Sequence, residues 1–275
     1  MFNLIEYDMI TKYKSFLSRQ DLAANTVRSY VWTVKHFLEK YKEVNRKNLF
    51  AYKGYLMERY KPQTVNLRLQ AINKYLEFIK QEKLKMRFVK VQQKNFLENV
   101  ISDADYKFLK TKLKKDGHTS WYFVVWFLAA TGARVSELLQ IKAEHVSQGY
   151  LDIYSKGGKL RRLYIPKNLK TEAAKWLQER EIESGYIFLN RFGERITARG
   201  IAQQLKLFAK KYGLNTAVVY PHSFRHRYAK NFLERYNDLA LLADLMGHES
   251  IETTRIYLRR TATEQQAIVD KIVNW

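Results

Sequence analysis

Apolar residues fall in helical stripes through the first third of the chain. In NTVRSYVWTVKHFLEKYKEV, Val27, Tyr30, Val31, Val34, Phe37, Leu38 and Tyr41 recur at helical spacing, which predicts one amphipathic helix. Asn25 or Thr26 is placed to cap its start. PQTVNLRLQAINKYLEFIKQ repeats the pattern through Val65, Leu69, Ile72, Tyr75, Leu76 and Ile79, with Pro62 suited to a first helical turn. EYDMITKYKSFLSRQ and NLFAYKGYLMERY add two less regular helices. Residues 1–85 are therefore expected to form a small helical bundle. From Lys83 to about Asn99 the periodicity stops, and KLKMRFVKVQQKNFLEN reads as an extended, basic linker, assigned to 86–100.

Helices resume over 101–275. Ser102 is a natural cap for SDADYKFLKTKLKK, and TSWYFVVWFLAA is apolar on every face, as a buried central helix would be. YLDIYSKGGKLRRLYIP is the one clear hairpin: Leu151 and Ile153 alternate, Lys156-Gly157-Gly158 turn, and Leu163 and Ile165 alternate back. TARGIAQQLKLFAKKYG, SFRHRYAKNFLERY, LALLADLMGH and TEQQAIVDKIV supply further helices. The expected fold class is mainly α: a helical bundle followed by a mostly helical domain with a small antiparallel β-sheet.

With 275 residues, 46% hydrophobic and 14% aromatic, the chain has material for real cores. Its longest wholly apolar run, WYFVVWFLAA, is about half of the roughly 20 residues needed to span a bilayer. The first ten residues carry Glu6 and Asp8 and no Lys or Arg, unlike a signal peptide. There is no cysteine, which removes disulfides, thiolate metal sites and thiol nucleophiles and fits a reducing cytoplasm. Charge narrows the field most. Lys and Arg number 49 against 27 Asp and Glu, a formal +22. Residues 1–100 hold 20 basic and 9 acidic residues, leaving 29 and 18 for the rest, so each part carries +11. An excess spread through folded sequence implies a polyanionic partner, DNA or RNA, with a merely basic surface as the bland alternative.

Four stretches carry candidate chemistry. TGARVSELL sets Arg134 near a helix start, where pairing with Glu137 at i+3 would be an ordinary reading. SKGGKLRR sets Lys156 at a hairpin tip, also readable as a charged turn. PHSFRHRYAKNFLE aligns His222, Arg225 and His226 on one face beside a helix N-terminus, a place for an anion. GHESIETTRIYLRR holds His248 and Tyr257. His222 and His226 at i, i+4 resemble half a zinc site, but no HExxH glutamate or cysteine accompanies them, so no metal is expected. Together the groups suit phosphoryl transfer. Two guanidiniums fork onto one phosphodiester, lysine and histidines handle protons, and a tyrosine attacks phosphorus.

In this order the boxes resemble those of the tyrosine recombinases of the phage-integrase and Xer type. TGARVSEL is similar to the first arginine box, HSFRH to H-x-x-R-H, and GHESIETTRIY to the closing box. SKGGKLRRLYIP is similar to the G-K-G-x-K-x-R…P hairpin, with Ser155 where glycine is usual. The resemblance implies a SAM-like core-binding domain, a linker and a catalytic domain closing as a clamp on double-stranded DNA. It implies Arg134 and Arg225 on the scissile phosphate and Tyr257 as nucleophile, leaving a 3′-phosphotyrosine. It further implies Lys156 as general acid, His222 as an aid to deprotonating Tyr257, His248 as a phosphate ligand, and Glu137 as a brace for Arg134. No cofactor or metal is implied. A type IB-like topoisomerase and a non-catalytic DNA-binding relative are the alternatives. The polar, Arg-flanked setting of Tyr257 predicts that it lies outside any apolar stripe. The bundle's early start leaves no room for an arm-binding domain, and the expected location is the cytoplasm, at the nucleoid.

TATEQQAIVDKIVNW closes the chain. Thr263 is read as a cap, and Ile268, Ile272 and Trp275, widened by Val269 and Val273, form one apolar face. Such a face must be buried, either on its own domain or, as the resemblance implies, on a neighbouring protomer of a DNA-bound homo-tetramer.

Overall fold

The computed structural model describes residues 4–92, 99–154, 160–248, 250–258 and 262–273. The chain divides into two compact units, Met1–Gln93 and Lys94–Trp275. Among the described residues the first contains α1 (Leu4–Ser18), α2 (Ala24–Tyr41), α3 (Arg46–Arg59) and α4 (Pro62–Phe78), then a 3-10 turn at Glu82–Leu84. The predicted stripes form its core: Val27, Tyr30, Val34, Phe37 and Leu38 of α2 meet Val65, Leu69, Ile72, Tyr75 and Leu76 of α4. The start of α2 departs from expectation. Ala23 is the N-cap and offers no side-chain acceptor, so Asn25 and Thr26 lie in the first turn, where the Arg28 guanidinium donates to the Asn25 side-chain oxygen. Asn45 caps α3, accepting the Asn48 N–H at 2.9 Å, and Pro62 opens α4.

The extended basic stretch after α4 is fastened to this unit as far as Val89. Asn73 brackets Met86, donating to its carbonyl at 2.9 Å and accepting its N–H at 2.8 Å. Asn66 brackets Val89 in the same way, at 2.9 and 2.8 Å. The spacing is geometric. Two helical turns advance about 10 Å, as do three extended residues, so two amides seven apart on α4 reach two residues three apart on the segment. Met86 is buried in the same core.

The second unit contains α5 (Asp103–Lys115), α6 (Thr119–Thr131), α7 (Val135–Leu138), α8 (Ala143–Gln148), β1 (Tyr150–Tyr154), β2 (Leu160–Tyr164), α9 (Lys167–Gln178), α10 (Ala198–Lys211), α11 (Pro221–Arg235), α12 (Leu239–Met246), α13 (Ile251–Arg255) and α14 (Ala262–Ile272). Helix α6 is the expected central element: eight of its thirteen residues are buried, among them Tyr122, Phe123, Val125, Phe127 and Leu128. Ser102 caps α5 through the Asp105 N–H. Helices α8 and α9 are additions to the sequence-based list. The hairpin is antiparallel, pairing Leu151 with Leu163 and Ile153 with Arg161. Its turn, with Lys156, lies outside the described residues. No described helix is long and apolar enough to cross a membrane.

At α14 the helix is under way at Ala262, so Thr263 lies within it and is not its cap. Val269, Ile272 and Val273 are exposed, while the Ile268 side chain and Trp275 lie outside the described residues.

The bracket predicts a local effect. Asn73→Ala leaves the Met86 amide without its partner, a change worth about 1–3 kcal/mol for a buried group. Hydrogen exchange should show the Met86 amide opening while helix α2 stays protected; unchanged protection at Met86 would contradict the bracket.

Candidate active site

Two glycines set the frame. Gly132 ends α6 with φ +65°, and a Cβ there would lie 2.5 Å from the Tyr228 ring. Gly247 ends α12 with φ +62°, and a Cβ there would collide with Arg161 at 2.2 Å from its Cδ. Both positions demand a left-handed backbone and leave no space for a side chain.

Three arginines converge on the last turn of α12. Arg161 donates to the Leu245 carbonyl at 2.7 Å, Arg225 to that of Met246 at 2.7 Å, and Arg134 to that of Gly247 at 3.2 Å. The carbonyls at a helix C-terminus have no partners within the helix and carry partial negative charge, so they are apt ligands for cations. Arg225 also donates to the Gly132 carbonyl at 2.6 Å, which ties the ends of α6 and α12 together. It is 1% exposed, and burial followed by repulsion from Arg134 pushes its pKa down to about 10, so it stays charged at neutral pH.

Arg134 is the N-cap residue of α7, and Glu137, three residues on, closes a local ring. The Glu137 carboxylate accepts the Arg134 backbone N–H at 2.7 Å and its guanidinium at 2.8 Å. Its second oxygen also accepts Arg161, at 2.6 Å. Burial alone would raise this carboxyl; Arg161, the Arg134 N–H and both guanidiniums outweigh it and hold the carboxyl below its usual range.

His248 sits between Arg225, 3.0 Å from its Nε2, and Thr254, whose Oγ1 is 2.7 Å from its Nδ1. A guanidinium only donates, so Nε2 is the acceptor and Nδ1 carries the proton. Burial and then the three arginines push His248 down to about 4. Tyr257 lies in a 3-10 turn, Ile256–Leu258, and its ring stacks over His248 at 6.1 Å and tilts against His226 at 5.4 Å. Its hydroxyl is raised above 10 by burial, with Arg225 and then Arg134 opposing. Its sequence segment is polar, yet its tertiary surroundings are not. Tyr257 is 5% exposed and packs with Ala229, Leu233, Leu242 and Met246. Its neighbours in sequence are polar, but the turn tucks the ring under α11 and α12.

His222 stands in the first turn of α11 and, with Arg134, Tyr220 and Lys206, lines a cavity of about 620 Å³. Partial loss of solvent, then Arg225 and Arg134, lower its pKa. Its ring meets that of His226 at 4.5 Å. His226 is pushed down to about 4, first by burial and then by His222, Arg225 and His248. The structure thus brings Arg134, Glu137, His222, Arg225, His248 and Tyr257 together, while Lys156 lies outside the described residues. The sequence pattern G-K-G-x-K-x-R already covers Arg161 but assigned it no role, Thr254 was left out, and His226 was weighed only beside an anion or a metal. The signal for Arg161 was available, since it occupies an inward-facing position of β2. Among the described residues no group of three or more His, Cys, Asp or Glu is placed to hold a metal ion.

Comparison with known proteins identifies the family. The model of the phage integrase family matches residues 99–264, more than half of the chain. The protein therefore belongs to the phage integrase family, the tyrosine recombinases. It is 29% identical over 273 residues to tyrosine recombinase XerA of Pyrococcus furiosus, covering 96% of this chain and 93% of that protein. It is 36% identical over 143 residues to tyrosine recombinase XerC of Lactobacillus delbrueckii subsp. bulgaricus, covering 49% and 48%. Its fold is similar to that of the Tn1549 transposon integrase bound to transposon right-end DNA, with a TM-score of 0.70 and 14% identity over 96% of this chain and 99% of that one. It is also similar to XerH recombinase bound to its difH substrate, with a TM-score of 0.67 and 21% identity over 88% and 78%.

The low histidine pKa values predict a pH dependence of stability. A histidine near 6.5 when unfolded and near 4 when folded binds fewer protons in the native state between those limits. Its stabilising contribution is complete above about pH 6.5 and is lost as pH falls toward 4. Denaturant titrations of the full chain should show stability falling through this window, and less steeply for His226→Gln; parallel slopes would contradict a buried neutral His226.

Proposed function

We propose that this recombinase cleaves and rejoins DNA through a covalent bond from Tyr257 to phosphorus. The observation that carries the reading is the placing of the Tyr257 ring against two neutral histidines, beside two guanidiniums held by backbone carbonyls. Among the described residues no carboxylate accepts a hydrogen bond from Arg225, so its charge is available to a phosphate.

In the proposed route a duplex phosphate enters beside Arg134, Arg225 and His248. The Tyr257 oxygen attacks phosphorus, and the bond to the 5′ oxygen breaks, giving a 3′-phosphotyrosine and a free 5′-hydroxyl. The proton leaving Tyr257 passes to His222, whose ring meets that of His226, which in turn packs against Tyr257. Lys156 returns a proton to the departing 5′ oxygen. Attack by the 5′-hydroxyl of a partner strand reverses these steps on a new duplex. The phosphotyrosine conserves the bond energy, so the route uses no nucleotide or metal. The arginines stabilise the second negative charge that develops on the phosphoryl oxygens. Residues 1–85 act as a core-binding domain joined through 86–100 to the catalytic domain, 101–275, and the charge of both parts meets the duplex backbone.

Tyr257→Phe tests the nucleophile. On nicked duplexes drawn from a randomised library by covalent capture, wild type should form SDS-resistant adducts and the Phe variant none, with binding nearly unchanged. Adducts from the Phe variant would overturn the assignment. For assembly, the exposed Val269, Ile272 and Val273 support docking of α14 on a neighbouring protomer of a homo-tetramer. Deleting Thr263–Trp275 should leave a folded protein that binds one site but does not assemble the four-subunit complex by light scattering; unfolding of the truncated chain would place the helix in its own core.

A further inference from the structure

Arg161 is an arginine where the strand pattern calls for an apolar residue. In the β1–β2 register it pairs with Ile153, and Leu163, two residues on, occupies the same face of the sheet and is buried. Its side chain is 9% exposed. Its neighbour Arg162 is an ordinary outward cation, paired with Asp152 across the strands at 2.8 Å. A buried guanidinium loses solvation, so its site must supply partners. Among the described residues Arg161 finds two: the Leu245 carbonyl, and the Glu137 oxygen at 2.6 Å that also accepts the Arg134 N–H.

Glu137 is what Arg161 changes. The carboxylate fixes Arg134 in place, which favours catalysis, yet a carboxylate 2.8 Å from the Arg134 guanidinium also cancels its charge, which opposes it. Without Arg161, Arg134 and Glu137 form a neutral pair. With it, two guanidiniums share one carboxylate and the cluster keeps one net positive charge. Adding Arg225 gives +2, the complement of a phosphoryl group that passes through a doubly negative transition state.

We propose that Arg161 is a positioning residue of the recombination reaction: it is the counter-ion of Glu137, and it lets that carboxylate orient Arg134 without neutralising it toward the phosphate. The proposal rests on the phosphoryl-transfer reading above. It also assigns a reason for Gly247, since any side chain there would displace the Arg161 stem.

Charge rescue tests it. Adduct formation would be timed on the captured nicked duplexes with full-length wild type, Arg161→Gln, Arg161→Lys and Arg161→Gln/Glu137→Gln, each checked for folding by thermal melting. A unit charge removed at several Å in a partly buried site is worth about 10- to 100-fold in rate. Arg161→Gln should slow the covalent step by that factor with duplex affinity little changed. Arg161→Lys, which keeps the charge, should stay closer to wild type. The double variant should be faster than Arg161→Gln, because removing the carboxylate restores the lost net charge. A residue that only supports the fold would give additive losses instead. The proposal fails if the double variant is no faster than Arg161→Gln, or if the lysine variant is as slow as the glutamine. Should Arg161→Gln not fold, the lysine and double variants decide, since both are expected to outpace a tenfold loss. A wild type that forms no Tyr257 adduct on these duplexes would fail the underlying reading and not this one.

Discussion

Three successive carbonyl oxygens at the end of α12 hold three arginines, and the rest of the site follows from that arrangement. Leu245, Met246 and Gly247 each accept from a different guanidinium: Arg161 from β2, Arg225 from α11 and Arg134 from the start of α7. A helix C-terminus offers partial negative charge without a full anion. It can bind several cations and leave most of their charge unspent, although the buried Arg225 Nε finds no partner among the described residues. The Gly247 backbone ends the helix at the point where these carbonyls fan out, and Gly132 brings the end of α6 to the same guanidinium of Arg225. Among the described residues one carboxylate, Glu137, is admitted, and it is shared.

The same cations set the state of the proton-handling groups. Desolvation and the arginines keep His222, His226 and His248 neutral near pH 7 and make them weak bases in the free protein. Burial keeps Tyr257 a phenol until a substrate is in place, while Arg225 and Arg134 favour its ionised form. Both shifts oppose proton transfer in the free protein, and in the proposed route an arriving phosphate, whose charge offsets that of the arginines, makes the histidines stronger bases. Such a site spares the free enzyme an exposed phenolate.

Much of this was legible in the chain, and what was not has physical reasons. The stripes of α2 and α4 announced their helices because an amphipathic period of 3.6 survives any tertiary context, and the all-apolar α6 announced a centre. The caps were less legible: Asn25 and Ala23 differ by two positions, and propensity alone does not choose between them. The boxes around Arg134, Arg225, His248 and Tyr257 identified groups that the fold brings together. The burial of Tyr257 was not legible, since it arises from Leu233, Leu242 and Met246 on other helices. Arg161 matched the arginine of the hairpin pattern, but its inward role was missed for the converse reason. It sits in an overtly basic hairpin, where a single inward-facing cation is hidden by its outward neighbours.

The central claim is that the positive charge of Arg225 acts on the developing charge of the phosphoryl group. Replacing one non-bridging oxygen of the scissile phosphate by methyl removes one negative charge from both ground and transition states. The direct measurement is the adduct-forming rate of Arg225→Gln against wild type on matched phosphodiester and methylphosphonate duplexes. The account predicts a loss of about 100- to 1,000-fold on the phosphodiester, and a far smaller one on the methylphosphonate. Equal losses on both substrates would contradict it.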